Sequence, residues 1–400
     1  MTLTTPQTEP LAVPASRGRC PFDPPPVYED ARREAPVTRV RLFDGTEAWM
    51  VTRHEDVRTV LGDQRFSADA AKPGFPFLTE GRKAAATVGQ SFIRMDDPEH
   101  GRLRRMLTGD FMLKRIEELR PQVQQMAESL LDRMTEGRRE ADLVTEFSLP
   151  LPSLVICLLL GVPYEDHEYF QACSRIMLDN RSSAQDVEEN RLSLRRYISD
   201  LAQEKRRVPD EGIISRLANR EGLTSDEVAA MGMLLLIAGH ETTANMTALS
   251  VLALLRNPDQ LDRLRAEPAL MKGAVEELLR YLTIVHSGLV RVATEDVAVG
   301  GEEIRAGEGV ILMISAANRD EDAFPSGGEL DVERAARRHV AFGFGVHQCL
   351  GQPLARLELQ IALETVLRRL PGLRLAVPFE QVPFRHEMSI FGVHALPVAW

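Results

Sequence analysis

Residues Met231 to Leu255 read MGMLLLIAGHETTANMTALSVLALL. A stretch this long and this apolar has two homes, a bilayer or the middle of a large core, because it leaves no broad polar face for water. His240, Glu241, Thr242, Thr243 and Asn245 interrupt its centre. A charge in the middle of a lone membrane span is costly and no second span shelters it, so the segment is predicted as a helix buried in protein, with no membrane. Such a helix needs many neighbours, and apolar periodicity supplies them. Helices are predicted over His100 to Asp110, Lys114 to Met134, Ser153 to Leu160, Asp166 to Leu178, Glu188 to Arg206, Ser225 to Leu255, Glu267 to Leu282 and Pro353 to Leu370. Two short strands flank an Asp44-Gly45 turn from Val37 onward, and strand-like runs return at Leu289 to Val299, Val310 to Ile314 and Leu373 to Val377. The expected class is mainly α.

The 400 residues are 44% hydrophobic and 27% charged, enough for a large core, and no interior stretch reads as a linker. A proline-rich segment, 1–25, is expected to lie extended on the surface, followed by one domain over 26–400. The net charge of −11 argues against nucleic acid and anionic lipid as partners. Four well-separated cysteines, with no C-x-x-C spacing and no basic start before an apolar run, suit a cytoplasmic protein with reduced thiols. The irregular stretch from Ala70 to Gln90 is long for a connection and is predicted to be a lid or binding loop.

HVAFGFGVHQCLG, His339 to Gly351, carries the most chemistry. Gly343 and Gly345 permit positive φ or close approach by another backbone or a flat ligand. Cys349 stands just before the helix beginning at Pro353, where the macrodipole and free amides favour a thiolate, the form that binds metal. A metal ligand, a nucleophile and a buried structural thiol are the three readings of such a cysteine. Cys20, Cys157 and Cys173 have no supporting motif and are read as structural. His100 and Arg104, four apart, share one helical face and can reach one anion.

FGFGVHQCLG, Phe342 to Gly351, resembles the haem-binding signature F-G-x-G-x-H-x-C-x-G of the cytochrome P-450 superfamily at every fixed position. The order of further segments is similar too: EHGRLRR, AGHETT, EELLR, LVRVATED and DVER. The resemblance implies a single triangular, mainly α-helical domain with a long central helix and a smaller β-rich region. Haem b would lie between the central and cysteine-side helices. It makes Cys349 the axial thiolate, and places Phe342, His347, Gly351 and Ala238 against the cofactor. His100, Arg104 and Arg291 would hold its propionates. Glu241 and Thr242 would be the acid–alcohol pair that delivers protons during oxygen activation, with Gly239 allowing a local widening of the helix. Glu277, Arg280 and Arg334 would form a structural lock behind the cysteine loop.

The implied activity is monooxygenation, hydroxylating or epoxidising a lipophilic natural product or drug-like molecule, as in the soluble actinomycete group that modifies antibiotics and foreign compounds. The chain has no G-x-G-x-x-G loop and no iron–sulfur cysteine set, so electrons are expected from NAD(P)H through a separate ferredoxin and its reductase. Arg102, Arg105, Lys114, Arg338 and Arg356 are candidates for docking that partner. The family default is a monomer. Expected pocket residues are Phe92, Ile93, Met177, Leu178, Leu234, Ile237, Ser287, Val290 and Ile390. A haem-thiolate ligand-binding or isomerase-like relative would lack oxygen insertion, which the presence of Glu241 and Thr242 argues against. A zinc hydrolase reading of HETTA fails at Ala244, where the second histidine would stand. A cysteine hydrolase using Cys349 and His347 lacks an identifiable orienting group.

Overall fold

The structure, a computed structural model, describes residues 11–86 and 91–400. The apolar segment folds as one helix, Ser225–Arg256, whose 32 residues span roughly 48 Å. Its start is fixed by a capping box: the Thr224 hydroxyl accepts from the Glu227 amide at 3.1 Å and the Glu227 carboxylate accepts from the Thr224 amide at 2.7 Å. Pro150–Leu160, Ala184–Arg207, Ile213–Ala218 and Gln352–Arg369 pack around it. That packing buries apolar residues on all its sides. Among the described residues no helix is long and apolar enough to cross a membrane. The helix is α-helical throughout, so the widening expected at Gly239 does not occur. Gly239 serves close packing instead: a Cβ there would lie 2.6 Å from Ile156 Cδ1.

The other predicted helices form with shifted ends, except that the one expected over Lys114 to Met134 is two, Leu113–Glu117 and Arg120–Thr135. Pro121 explains the break, since its ring clashes with the carbonyl of Glu117 and it has no amide to donate. Pro268 likewise turns the start of the helix expected from Glu267 into a short 3-10 turn, and the α-helix runs Met271–Leu282. Pro26–Glu34, His54–Gly62 and Pro258–Ala266 are further helices that apolar periodicity did not single out.

The largest sheet has six strands in the order Leu11–Ala12, Val37–Arg41, Glu47–Val51, Gly309–Leu312, Leu289–Ala293 and Phe66–Ser67. The predicted hairpin pairs Arg39 with Trp49 around Gly45, whose φ is 80°. Alternation along Glu47–Val51 sends Trp49 and Val51 into one small core and Ala48 and Met50 into another. The main core lies among the helices.

Two expectations need correction. The segment before residue 26 is not a surface strap over its described part: Leu11–Ala12 pairs in parallel with Val40 and Arg41, and Val13, Arg17 and Phe22 are buried. Apolar side chains within the proline-rich stretch have a sheet edge and a core to cover. The stretch from Ala70 contains a helix, Glu80–Ala85, and anchors itself through buried Phe75 and Leu78; residues 87–90 lie outside the described residues.

Candidate active site

The cysteine loop is shaped by its glycines. Gly343 and Gly345 have φ of 69° and 74°, and a Cβ on Gly345 would lie 2.3 Å from the Leu61 carbonyl oxygen, so the loop can lie against the helix His54–Gly62 only with glycine there. The Cys349 amide closes the turn by donating to Phe342 O at 2.9 Å. Behind the loop, Glu277 and Arg280 are fully buried and joined by two hydrogen bonds of 2.7 Å. Arg334 Nε and the Asp331 amide add bonds of 3.1 and 3.0 Å to the same carboxylate. Arg280 Nη1 also donates to Asn318 O at 2.7 Å, and Asn318 Oδ1 accepts from the Val340 amide at 2.8 Å. Glu277, Arg280 and Arg334 therefore meet at one carboxylate, and Asn318 links Arg280 to the loop.

Next to it, Glu276 binds Arg356 at 2.6 and 3.0 Å and His339 at 3.2 Å. Burial alone would raise its pKa, but the hydrogen bonds from His339 and Arg356 hold it at about 2. Arg356 also stacks over the Phe342 ring, 4.6 Å from its centroid. Sequence reasoning missed Glu276 and treated Arg356 as a docking charge; its partner stands 80 positions away. Arg102 is likewise held by Glu99 and Glu227, and Arg338 donates to Ala323 O. Arg105 and Lys114 are exposed, and so are the apolar side chains of Met112 and Leu113, which precede Lys114 in the chain.

Cys349 has open surface, yet protein encloses it closely enough for burial to push its thiol pKa up, against the opposing pull of the Gly351 amide, Arg104, Arg356 and the Gln352 amide. On the central helix, Ala238 is exposed although it lies in the middle of the core, and Thr242, Leu234 and Ile237 are half-open on the same face, so a void runs along this face of the helix.

Beside the cysteine loop the histidines and arginines converge. The His100 and His347 ring centroids are 4.0 Å apart, and Arg104 Nη2 donates to Gln348 O at 2.6 Å. His347 is pushed down to about 3 by burial and by Arg291 and His100; Arg291 is pushed down to about 10 by burial and by Arg94. His100 Nε2 and His347 Nδ1 are buried without a hydrogen-bond partner among the described residues. Asp97 lies 3.3 Å from His100 Nδ1 and Asp96 acts on Arg291 and His347, but Arg104 and Arg291 have no ion-pair partner among the described residues and one buried nitrogen of each histidine is left unmatched. A flat cofactor with two carboxylates and a metal that takes thiolate fits these residues: the carboxylates would meet the cations, and the metal would deprotonate Cys349.

The central helix separates the two residues expected to work as a pair. Thr242 Oγ1 donates to Ala238 O at 2.7 Å on the open face, leaving its lone pairs free to accept. Glu241 is buried and turned elsewhere, bound by Arg385 Nη1 at 3.1 Å and Asn245 Nδ2 at 3.2 Å. Arg385 and Asn245 were not foreseen. His240 is fully buried, with Nδ1 against Leu236 O at 2.7 Å. Among the described residues no cluster of three histidine, cysteine or carboxylate side chains could hold a metal ion.

Several expected pocket residues are brought together by backbone bonds. The Ser389 amide donates to Leu178 O at 2.7 Å, and the Phe391 amide to Ile284 O at 2.8 Å, so Met177, Leu178, Ile390 and Ser287 share one region. Ser287 Oγ is buried with no partner among the described residues. Val290 is buried in the sheet core, Phe92 packs under the His100 ring at 6.2 Å between centroids, and Ile93 is 45% exposed.

A family profile described as Cytochrome P450 matches residues 27–398. The chain is 66% identical to Cytochrome P450-SU2 of Streptomyces griseolus, over 98% of this chain and 97% of that one. It is 47% identical to Vitamin D3 dihydroxylase of the same organism, over 100% and 99%. The crystal structure of the mycinamicin VIII C21 methyl hydroxylase MycCI from Micromonospora griseorubida, bound to mycinamicin VIII, superposes with a TM-score of 0.92 at 39% identity, covering 98% of this chain and 100% of that one.

Proposed function

The chain belongs to the cytochrome P450 family and is a haem-thiolate monooxygenase; from that premise we propose that Cys349 is its axial thiolate, that His100, Arg104, Arg291 and His347 hold the haem carboxylates, and that Ala238, Phe342 and Gly351 border the cofactor. The observations that carry this reading are the open surface of Cys349, the exposed Ala238 in the middle of the central helix, and the cationic cluster with unmatched histidine nitrogens beside the cysteine loop. Bound haem supplies the activation of dioxygen, in which one oxygen atom enters the substrate and the other leaves as water, using two electrons and two protons. The amides of Gly351 and Gln352 and the charges of Arg104 and Arg356 favour the thiolate form of Cys349. Thr242 accepts a proton donor at Oγ1 and passes protons into the void. Glu241 supports that proton path from behind the helix, held by Arg385 and Asn245.

Electrons come from NAD(P)H through a ferredoxin and its reductase, docking near exposed Arg105, Lys114, Met112 and Leu113. The substrate is a lipophilic natural product or drug-like molecule, bound against Leu234, Ile237, Met177, Leu178 and Ile390. The relatives named for vitamin D3 and mycinamicin VIII support that class. The enzyme works as a cytoplasmic monomer, with residues 26–400 as one domain. Cys349→His tests the assignment: haem binding survives, while the red-shifted Soret band of the reduced carbon monoxide complex and nearly all product formation disappear, because imidazole donates less charge to iron than thiolate. An unchanged spectrum refutes it.

A further inference from the structure

Two arginines touch the cysteine loop, and they are held differently. Arg104 Nη2 donates to Gln348 O at 2.6 Å and has no ion-pair partner among the described residues, which suits a cation kept for a haem carboxylate. Arg356 carries its own counter-charge. Its Nε and Nη2 donate to the two oxygens of Glu276 at 2.6 and 3.0 Å, and its Nη1 donates to Gln352 Oε1 at 2.8 Å. With all three nitrogens bonded, the guanidinium is fixed in place over the Phe342 ring, 4.6 Å from the centroid.

Phe342 ties that position to Cys349. Its carbonyl accepts the Cys349 amide at 2.9 Å, so the Arg356 charge is packed on the residue that closes the cysteine turn. His339 completes the arrangement. Its Nδ1 accepts the Ala341 amide at 3.1 Å, so Nε2 carries the proton and donates to Glu276 Oε2 at 3.2 Å. Both ring nitrogens are thus used by the neutral imidazole, whose ring stands 5.8 Å from that of Phe342. Glu276, His339 and Arg356 together sum to zero charge beside the loop. An unpaired guanidinium could pack on Phe342 equally well, but it would draw electron density from a thiolate at Cys349 and favour the more negative, reduced state of a metal bound there. The carboxylate removes that pull.

We propose that Glu276 is a positioning residue of the redox centre: by cancelling the charge of Arg356 over Phe342, it keeps the reduction potential of the haem low and the Cys349 thiolate electron-rich. The proposal rests on the active-site reading above, in which Cys349 is the axial ligand. Reduction adds one electron and takes iron(III) to iron(II), so a bare cation nearby favours the product. One uncompensated charge beside an enclosed redox centre is worth on the order of tenfold in that equilibrium, about 59 mV for one electron.

The test is the midpoint potential of the haem-loaded protein, titrated spectroscopically at neutral pH and read from the fraction whose reduced carbon monoxide complex shows the thiolate band. Glu276→Gln raises the potential by about 59 mV, a tenfold shift of the reduction equilibrium. Glu276→Asp keeps the charge and recovers most of the difference. Arg356→Met, which removes the cation, gives no rise, and adding Arg356→Met to Glu276→Gln brings the potential back close to the wild-type value. A potential unchanged in Glu276→Gln overturns the proposal. So does an equal rise in Arg356→Met or in the double variant, since loosening of the loop would act in all three. Absence of the thiolate band in the wild type overturns the axial assignment, and the role of Glu276 with it.

Discussion

Glu276→Gln isolates the contribution of the carboxylate that steadies the cysteine side. The buried Glu276 carboxyl sits at about 2, against 4.5 for a free side chain. Because the folded value is depressed, the stabilisation is present above 4.5 and is lost as pH falls toward 2. The drop from 4.5 to about 2 corresponds to about 3 kcal/mol at pH 7. Glutamine keeps the shape but leaves Arg356 without its counter-charge, so the variant is expected to lose on the order of 3 kcal/mol in urea unfolding of the haem-loaded protein. The gap from wild type should hold at neutral pH and narrow below pH 4.5, where the native carboxylate begins to lose its advantage. Arg356 also loses its hold over Phe342, 4.6 Å away, so a smaller fraction of the carbon monoxide complex should show the thiolate band. In a double-mutant cycle with Arg356→Met, the two losses should overlap by about 1–3 kcal/mol. A gap under about 1 kcal/mol at pH 7, or strictly additive losses, refutes the reasoning.

Thr242→Ala should keep fold, haem and substrate binding while diverting consumed NAD(P)H into hydrogen peroxide, read as a falling product-to-NAD(P)H ratio; a fully coupled variant leaves Thr242 only its bond to Ala238 O. Arg385→Leu should cost about 3–5 kcal/mol by stranding Glu241, and adding Glu241→Gln should restore most of it; a double variant as unstable as the single one counts against the pair. Backbone amides of Glu80–Ala85 should exchange faster than those of Ser225–Arg256 and slow when a tight ligand binds, as expected of a lid; exchange unchanged by ligand removes that role.

Features whose partners lie close along the chain were legible in the sequence. The glycines of Phe342 to Gly351, the Glu277 and Arg280 pair and the long central helix each carry a local signature, and the structure gives Gly343 and Gly345 positive φ, pairs Glu277 with Arg280 and forms the helix. Contacts made across the chain were not. Arg385 lies 144 positions from Glu241, and nothing in VPFRHEMSI marks it as a partner of the central helix. Proline positions were visible, but their effect on the helix from Lys114 depended on which residue began the second helix. The described part of the amino-terminal segment looked like a surface strap because composition does not reveal a sheet edge waiting for Leu11 and Ala12.

The acid and the alcohol of AGHETT show why adjacency in sequence misleads on a helix. Consecutive residues point about 100° apart, so one of two neighbours can face the void while the next turns into the core. Here Thr242 takes the open face and Glu241 the buried one, beside Arg385. Loss of activity in Glu241→Gln therefore has two causes that a rate alone cannot separate: a missing proton donor, and a buried arginine left without its partner. The double variant with Arg385→Leu separates them. If stability returns but turnover does not, Glu241 acts in proton supply; if both return, its contribution is to hold the helix against the loop carrying Arg385.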